Sequence, residues 1–223
     1  MLSKLLRILL SLVVTILIPL GIMMLMVRLL MTPAYLNIEY RMPGFPADQY
    51  GFSLADRIQW SVPSVEYLTN SSGIQFLEDL KFSNGQPIYN ERELSHMADV
   101  KKVVQTLLQV WYVDLALLVL LGILAGITAS WSSFILGIKR GGFLTVILLL
   151  GLAGFAMLNF WQFFEWFHSL FFSGNSWIFE FSDTLIRLFP IRFWEDAVAF
   201  IVGISILVGL VLGISLKPSR KNA

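Results

Sequence analysis

From Leu115 to Ile138 the chain reads LALLVLLGILAGITASWSSFILGI, without a single charged residue. A helix needs about 20 predominantly apolar residues to cross a hydrocarbon core about 30 Å thick, and this run exceeds that length. Three further segments meet the same requirement: Ile8 to Val27, Gly141 to Phe164 and Ala197 to Leu216. Over all 223 residues, 57% are hydrophobic and 14% charged, whereas soluble domains carry about 45–50% and about 25%. Disorder, which needs low hydrophobicity and high charge, is excluded as well. The absence of cysteine removes disulfides, thiolate nucleophiles and Cys-ligated metals. These properties together describe an integral membrane protein.

The first span exceeds the 7–15 apolar residues of a signal peptide and no small-x-small cleavage site follows it, so a retained helix is expected. Orientation follows from Lys4 and Arg7 before span one, Lys139 and Arg140 between spans two and three, and Lys217, Arg220 and Lys221 at the end. The positive-inside rule puts both termini and the middle turn in the cytoplasm. Residues 1–32 then hold the first span, and 33–100 an extracytoplasmic cap with the start of the second helix. Residues 101–138 and 141–168 form the second and third membrane helices. A second extracytoplasmic segment occupies 169–196, the last span 197–216 and a cytoplasmic tail 217–223.

Within the cap, the alternation of Ala34 to Tyr40 predicts a strand. Ser53 to Leu68 predicts short amphipathic helices interrupted at Pro63, and Ile74 to Ile88 a hairpin turning at Asn84-Gly85. Asn90 and Glu93 have the spacing of a capping box, from which a helix runs unbroken into span two. The second segment carries a turn at Gly174-Asn175, an extended piece from Trp177 to Phe181, and a helix from Thr184 to Phe189 capped by Ser182 or Asp183. The expected fold class is an all-α integral membrane protein, with four transmembrane helices and a small mixed α/β extracytoplasmic cap. Gly122-x-x-x-Gly126 and Gly209-x-x-x-Gly213 permit close helix contact, although such spacing is common in glycine-rich spans.

The two histidines are the sharpest chemical signal. His96 lies near the outer start of the second helix and His168 near the outer end of the third. Asp99 follows His96 by three residues and Glu165 precedes His168 by three, so each acid shares a helix face with its imidazole and can orient it. Imidazole is the side chain whose ordinary pKa suits proton transfer near neutrality. Equally, interfacial histidines serve as amphipathic boundary residues. No HExxH or other metal-ligand spacing occurs, and neither does a GxSxG elbow nor a phosphate-binding glycine loop. Asn70-Ser-Ser72 matches a glycosylation sequon by chance.

From Asn159 to Phe172 the chain packs eight aromatic residues around His168. An aromatic belt explains much of this run. Trp161, Phe164, Phe167 and Phe171, with Trp177, can also wall a pocket for acyl chains and exclude water. Asn159, Tyr89, Tyr112 and backbone amides are the candidate oxyanion donors. Arg187 and Arg192 can bind a lipid phosphate or carboxylate, or simply sit at the interface. Transport is disfavoured, because the spans hold almost no ionisable residue; Asp114, near the outer end of span two, comes nearest.

Two motifs, Glu93-Leu-Ser-His-Met-Ala-Asp-Val-Lys101 and Phe167-His-Ser-Leu-Phe-Phe172, resemble signatures of a bacterial four-span family that includes the lipoprotein intramolecular transacylases. Trp177-Ile-Phe, Asp183-Thr-Leu-Ile-Arg-Leu-Phe-Pro190 and Phe193-Trp194 are similar to the same family's outer segment, so the resemblance covers about Glu91 to Trp194. It implies that the sn-2 acyl chain of a diacylglyceryl-modified lipoprotein moves to the α-amine of its N-terminal cysteine. It implies His96 and His168 as the catalytic pair and Asp99 as an orienter, whereas Glu165 rests on spacing alone. No cofactor or metal is called for. The expected partners are bacterial lipoproteins and membrane lipid, not nucleic acid, in the bacterial cell membrane. An acyl hydrolase, and a non-catalytic membrane scaffold or chaperone, are the competing readings.

Overall fold

The computed structural model describes residues 2–172, 174 and 176–217. Asn175 of the expected turn, and Arg220 and Lys221 of the expected cytoplasmic tail, lie outside the described residues. Nine helices follow one another among the described residues. They are α1 (Lys4–Leu30), α2 (Pro33–Glu39), α3 (Leu54–Thr69), α4 (Gln75–Glu78), α5 (Glu91–Ile127), α6 (Trp131–Leu158), α7 (Phe160–Phe171), α8 (Thr184–Leu188) and α9 (Ile191–Ser215). α1, α5, α6 and α9 are each long and apolar enough to cross a membrane. The chain divides into two compact units, one drawn from 2–27, 108–158 and 199–217, the other from 28–107 and 159–198.

The first unit is a membrane bundle. Leu10, Val14, Ala125 and Phe134 form its buried cluster, with Ile18, Leu118, Leu121 and Ile138 packed against them. Ile16, Val119, Ile127, Ile147, Leu150 and Val211 point outward and are exposed. So much outward apolar surface suits a helix whose solvent is lipid. Close approach depends on missing side chains. A Cβ on Gly142 would lie 2.5 Å from the Gly209 carbonyl oxygen, and one on Gly141 2.5 Å from Ile18 Cβ. The Gly209/Gly213 pair is thus a helix contact, whereas Gly126 faces open space. Asp114 is buried here beside Gly21, and neither carboxylate oxygen has a hydrogen-bond partner among the described residues.

The boundaries of spans two and three differ from expectation. The uncharged run from Leu115 to Ile138 is not one helix: α5 stops at Ile127 and α6 begins at Trp131. Ala129 adopts φ +52°, the Ser130 amide donates to the Ala125 carbonyl at 2.8 Å, and the Ala129 amide donates to that of Gly126 at 3.4 Å. This is the paired closure of a Schellman turn, with alanine where glycine usually stands. Lys139 and Arg140 therefore lie inside α6, about 12 Å of helical rise from its start, rather than in a turn. The third helix also divides. α6 ends at Leu158, and Asn159 opens α7 by accepting from the Gln162 amide through its side chain at 3.1 Å.

The second unit is helical, so the expected mixed α/β cap is not found. Among the described residues no strand forms, and the β pairing is one isolated bridge between Lys81 and Pro87. Ala34 to Tyr40, expected as a strand, falls in α2, because Thr32 caps that helix and Pro33 supplies its first residue. Tyr35, Leu36 and Glu39 are its buried positions, and Tyr40 is buried just past its end, a helical and not an alternating spacing. α3 continues through Pro63 without interruption, capped by a reciprocal Ser53/Asp56 box. The turn at Asn84-Gly85 is present, with Gly85 at φ +84°. Pro87 lacks a donor, and the residues before Lys81 coil into α4, so the pairing does not extend into a hairpin. The core of this unit gathers Tyr67, Leu77, Ile88, Tyr89, Met97, Leu185 and Leu188.

Candidate active site

The start of α5 is built from polar groups that serve two helices. The Asn90 amide donates to Glu93 Oε2 at 2.8 Å, and the Glu93 amide donates to Asn90 Oδ1 at 3.0 Å. The second carboxylate oxygen of Glu93 accepts from the Leu185 amide in α8 at 2.6 Å. Asp183, placed to cap α8, instead accepts from Asn90 Nδ2 at 3.0 Å and from Arg92 Nη2 at 2.5 Å. Each helix start is thus served by an acid from the other region of sequence, and Glu93 is 1% exposed. Hydrogen bonds to a charged acceptor contribute about 1.5–3 kcal/mol each, so this junction is firm.

His96 sits one turn beyond Glu93. α5 is about 55 Å long, against a hydrocarbon core of about 30 Å. Its charged residues other than Asp114 all fall between Glu91 and Lys102, so His96 precedes the membrane-spanning part. Its ring centroid lies 6.4 Å from that of His168, with the planes 21° apart. Both imidazoles are buried. Phe172 and Phe179 stand 5.1 and 5.2 Å from His96. Phe164 and Trp177 stand 4.1 and 4.8 Å from His168, and Phe167 5.6 Å.

The two rings are held differently. His168 Nδ1 lies 2.8 Å from the Phe164 carbonyl oxygen one turn earlier. A carbonyl only accepts, so Nδ1 carries the hydrogen and Nε2 of the neutral ring keeps its lone pair. His96 Nδ1 is buried without a hydrogen-bond partner among the described residues. Burial, and then the nearby His168, hold the His96 pKa down to about 4 against the opposing charge of Asp99. Burial also lowers that of His168, partly offset by the Phe164 carbonyl. At neutral pH both rings are therefore uncharged.

Several sequence-chosen residues stand elsewhere. Asp99 accepts from Lys102 Nζ at 2.9 Å and makes no hydrogen bond to His96, and Glu165 is exposed while a backbone carbonyl holds His168. Tyr89 is buried in the helical core, its hydroxyl donating to the Trp60 carbonyl at 2.8 Å. Tyr112 belongs to the membrane unit, exposed and against Trp111. The side chain of Asn159 is occupied as the α7 cap. Arg187 pairs with Asp48 at 2.9 Å and lies over the Phe52 ring, so it orders the 48–52 loop. The aromatic choices fare otherwise: Phe164, Phe167 and Trp177 contact His168, Trp161 stacks on Phe164, and Phe171 packs on Phe167. Phe172 and Phe179 were not among the choices; the position of Phe172 four residues after His168 was a usable signal, and Phe179 had none.

A cavity of about 440 Å³ opens beside this pair, lined by Asp99, Lys102, Val103, Phe171, Phe172 and Ser176. Phe172 is common to the cavity wall and to the rings around both histidines. Among the described residues no three His, Asp or Glu side chains gather as ligands for a metal ion. Two buried, neutral imidazoles among aromatic rings, next to a half-polar cavity, can move a proton between an attacking and a departing group.

The sequence model of the family described as "Lipoprotein intramolecular transacylase Lit" matches residues 11–194. The chain belongs to this family. A protein of Aquifex aeolicus (strain VF5), described as uncharacterized, is 30% identical over 207 residues, covering 92% of each chain. The crystallised Lit of Bacillus cereus, titled a membrane integral lipoprotein intramolecular transacylase, is similar in fold. Its TM-score is 0.77 at 24% identity, over 96% of this chain and 94% of that one. A form of that protein with one histidine changed to arginine gives a TM-score of 0.71 at 23% identity, over 94% and 89%. The Lit fold is thus that of a multi-pass membrane protein, and both histidine motifs fall inside the matched region.

Proposed function

We propose that this chain transfers the sn-2 acyl chain of a diacylglyceryl-modified lipoprotein to the α-amine of its N-terminal cysteine, leaving lyso-form lipoprotein. Membership of the Lit family supports the reaction class. The observation that carries the mechanism is the buried His96/His168 pair, 6.4 Å apart, with His168 Nε2 free to accept.

Starting from the ammonium, the nitrogen sheds two protons. One leaves to solvent and generates the nucleophile; the other passes to His168 Nε2 as the N–C bond forms at the ester carbonyl. The bond between that carbon and the sn-2 oxygen then breaks. His96 donates its N–H to the departing oxygen, and the proton held on His168 restores it, so neither ring is changed at the end. Amine and ester belong to one molecule, and the aromatic walls limit the conformations that keep them apart. Water kept off the carbonyl favours transfer over hydrolysis.

On this reading the cap (residues 33–100) and the segment 169–196 lie on the extracytoplasmic side of a bacterial cell membrane, and both termini lie in the cytoplasm. Lys4 and Arg7 at the start of α1 support that orientation, and Lys139 and Arg140 stand in the first half of α6.

Substrate and product are isomers, so fragmentation mass spectrometry of N-terminal lipopeptides is the test. With the native chain, an acyl chain is expected on the cysteine nitrogen. With His96→Asn or His168→Asn, the product falls by about 10²–10⁴-fold at equal protein level, the usual worth of positioned acid–base groups. Unchanged diacylglyceryl cysteine with the native chain would remove the reading, and loss of one acyl group with a free amine would make the protein a hydrolase. Full activity in both variants would overturn the histidine mechanism.

A further inference from the structure

Asp99 makes no hydrogen bond to the imidazole it was expected to orient, yet it stands one helical turn from it and faces the open cavity. Its carboxylate is 43% exposed and its partner, Lys102, 77% exposed. The same cavity is walled by Phe171, Phe172 and Val103, and Phe172 stands 5.1 Å from His96. The cavity therefore joins an exposed, weakly paired carboxylate to apolar walls adjacent to the histidines.

We infer that Asp99 is the receiving site for the α-ammonium of the substrate, which displaces Lys102 from the carboxylate as it enters. The inference rests on the reading given under Proposed function and deepens it. A free N-terminal amine is mostly ammonium at neutral pH, and a carboxylate among the cavity walls is its natural complement. The exchange costs little, because an exposed ion pair such as Asp99–Lys102 is weak and Lys102 can return to water. The thioether and glyceryl carbons then lie along the phenylalanines, with the ester near the imidazoles. Asp99 acts here as a positioning residue: it gives the site its preference for a free amine over an N-acylated terminus, which carries no charge.

The test uses the full chain in detergent with a synthetic diacylglyceryl-cysteine peptide and its N-acetyl analogue. Asp99→Asn is expected to raise KM about three- to fivefold with kcat nearly unchanged, the range of one exposed ion pair. Lys102→Gln, which removes the competing cation, is expected to lower KM about twofold, and that gain should vanish in the D99N background. Because a carboxylate favours the charged amine, D99N should also move the acid limb of kcat to lower pH. A fall in kcat alone, or unchanged KM in both variants, would overturn the inference and leave the transacylase reading standing. If the native chain yields no product, equilibrium binding decides: a preference for the free-amine peptide that D99N abolishes supports the ammonium site, and equal binding of both peptides ends it.

Discussion

The two units of this chain are held together by opposite means. In the membrane bundle, helices meet where side chains are missing, as at Gly137, Gly141 and Gly142, and its buried carboxylate, Asp114, has no hydrogen bond among the described residues. In the other unit, short helices are fastened by named polar partners and stacked rings: Glu93 serves two helix starts, and Tyr40 donates to the Leu188 carbonyl at 3.0 Å. Helices α2, α4 and α8 have seven, four and five residues, far too few to stand alone in water. Lipid supplies the bundle's backbone constraint, since every amide must be satisfied inside its own helix. The second unit has no such constraint and needs caps. The lesson is that small residues specify the first unit and charged ones the second.

The sharpest way to break this contrast is Glu93→Ala. It leaves the Asn90 and Leu185 amides without their acceptor, and a loss of about 3 kcal/mol or more is expected. Hydrogen exchange should show the loss in residues 88–97 and 184–189 while 10–26 stay protected; uniform loss across the chain would contradict the division. Next comes Gly142→Val. Its Cβ would meet backbone atoms at 2.5 and 3.0 Å, which cannot turn aside, so about 1–3 kcal/mol of overpacking is expected. Gly126→Ala, at a position with open space, is the control. The yield of monodisperse protein in detergent reads both, and equal behaviour of the two variants would refute close packing at Gly142.

The last expected effect is on pH. His96 holds its pKa near 4 when folded, against 6.5 for a free imidazole, so the unfolded chain takes the proton first. Stability should fall as pH drops from about 6.5 toward 4. Thermal unfolding at a series of pH values should show this decline, made shallower by His96→Phe. A decline of the same steepness in that variant would place the acid sensitivity elsewhere.

α1 and α9 were legible because charge is absent over a bilayer's width, whereas the uncharged runs read as spans two and three are cut differently in α5 and α6; the start of α5 was legible because Asn90 and Glu93 carry the box at the right spacing. The break at Ala129-Ser130 was hidden, since neither residue interrupts an apolar run and the αL position is not glycine. Thr32-Pro33 was a helix start that the alternation of the following residues concealed. For the site, the two histidine motifs pointed to the pair that the fold brings together. The orienting groups were illegible for a physical reason: His168 is held by a main-chain carbonyl, which every residue owns and no sequence advertises. The same spacing that made Asp99 a candidate orienter also made its pairing with Lys102, three residues on, equally available.

The shared carboxylate of Glu93 has a consequence for biosynthesis. Residue 93 leaves the ribosome long before residue 185, and the five-residue α8 has no amide acceptor of its own at that junction until the two regions meet. His96 likewise acquires its aromatic neighbours and its partner imidazole only once 160–180 are made. A chain cut short after its second hydrophobic helix would thus carry one histidine on an unfinished helix start. The histidine pair is thus complete only in the assembled chain, and a truncated one lacks it.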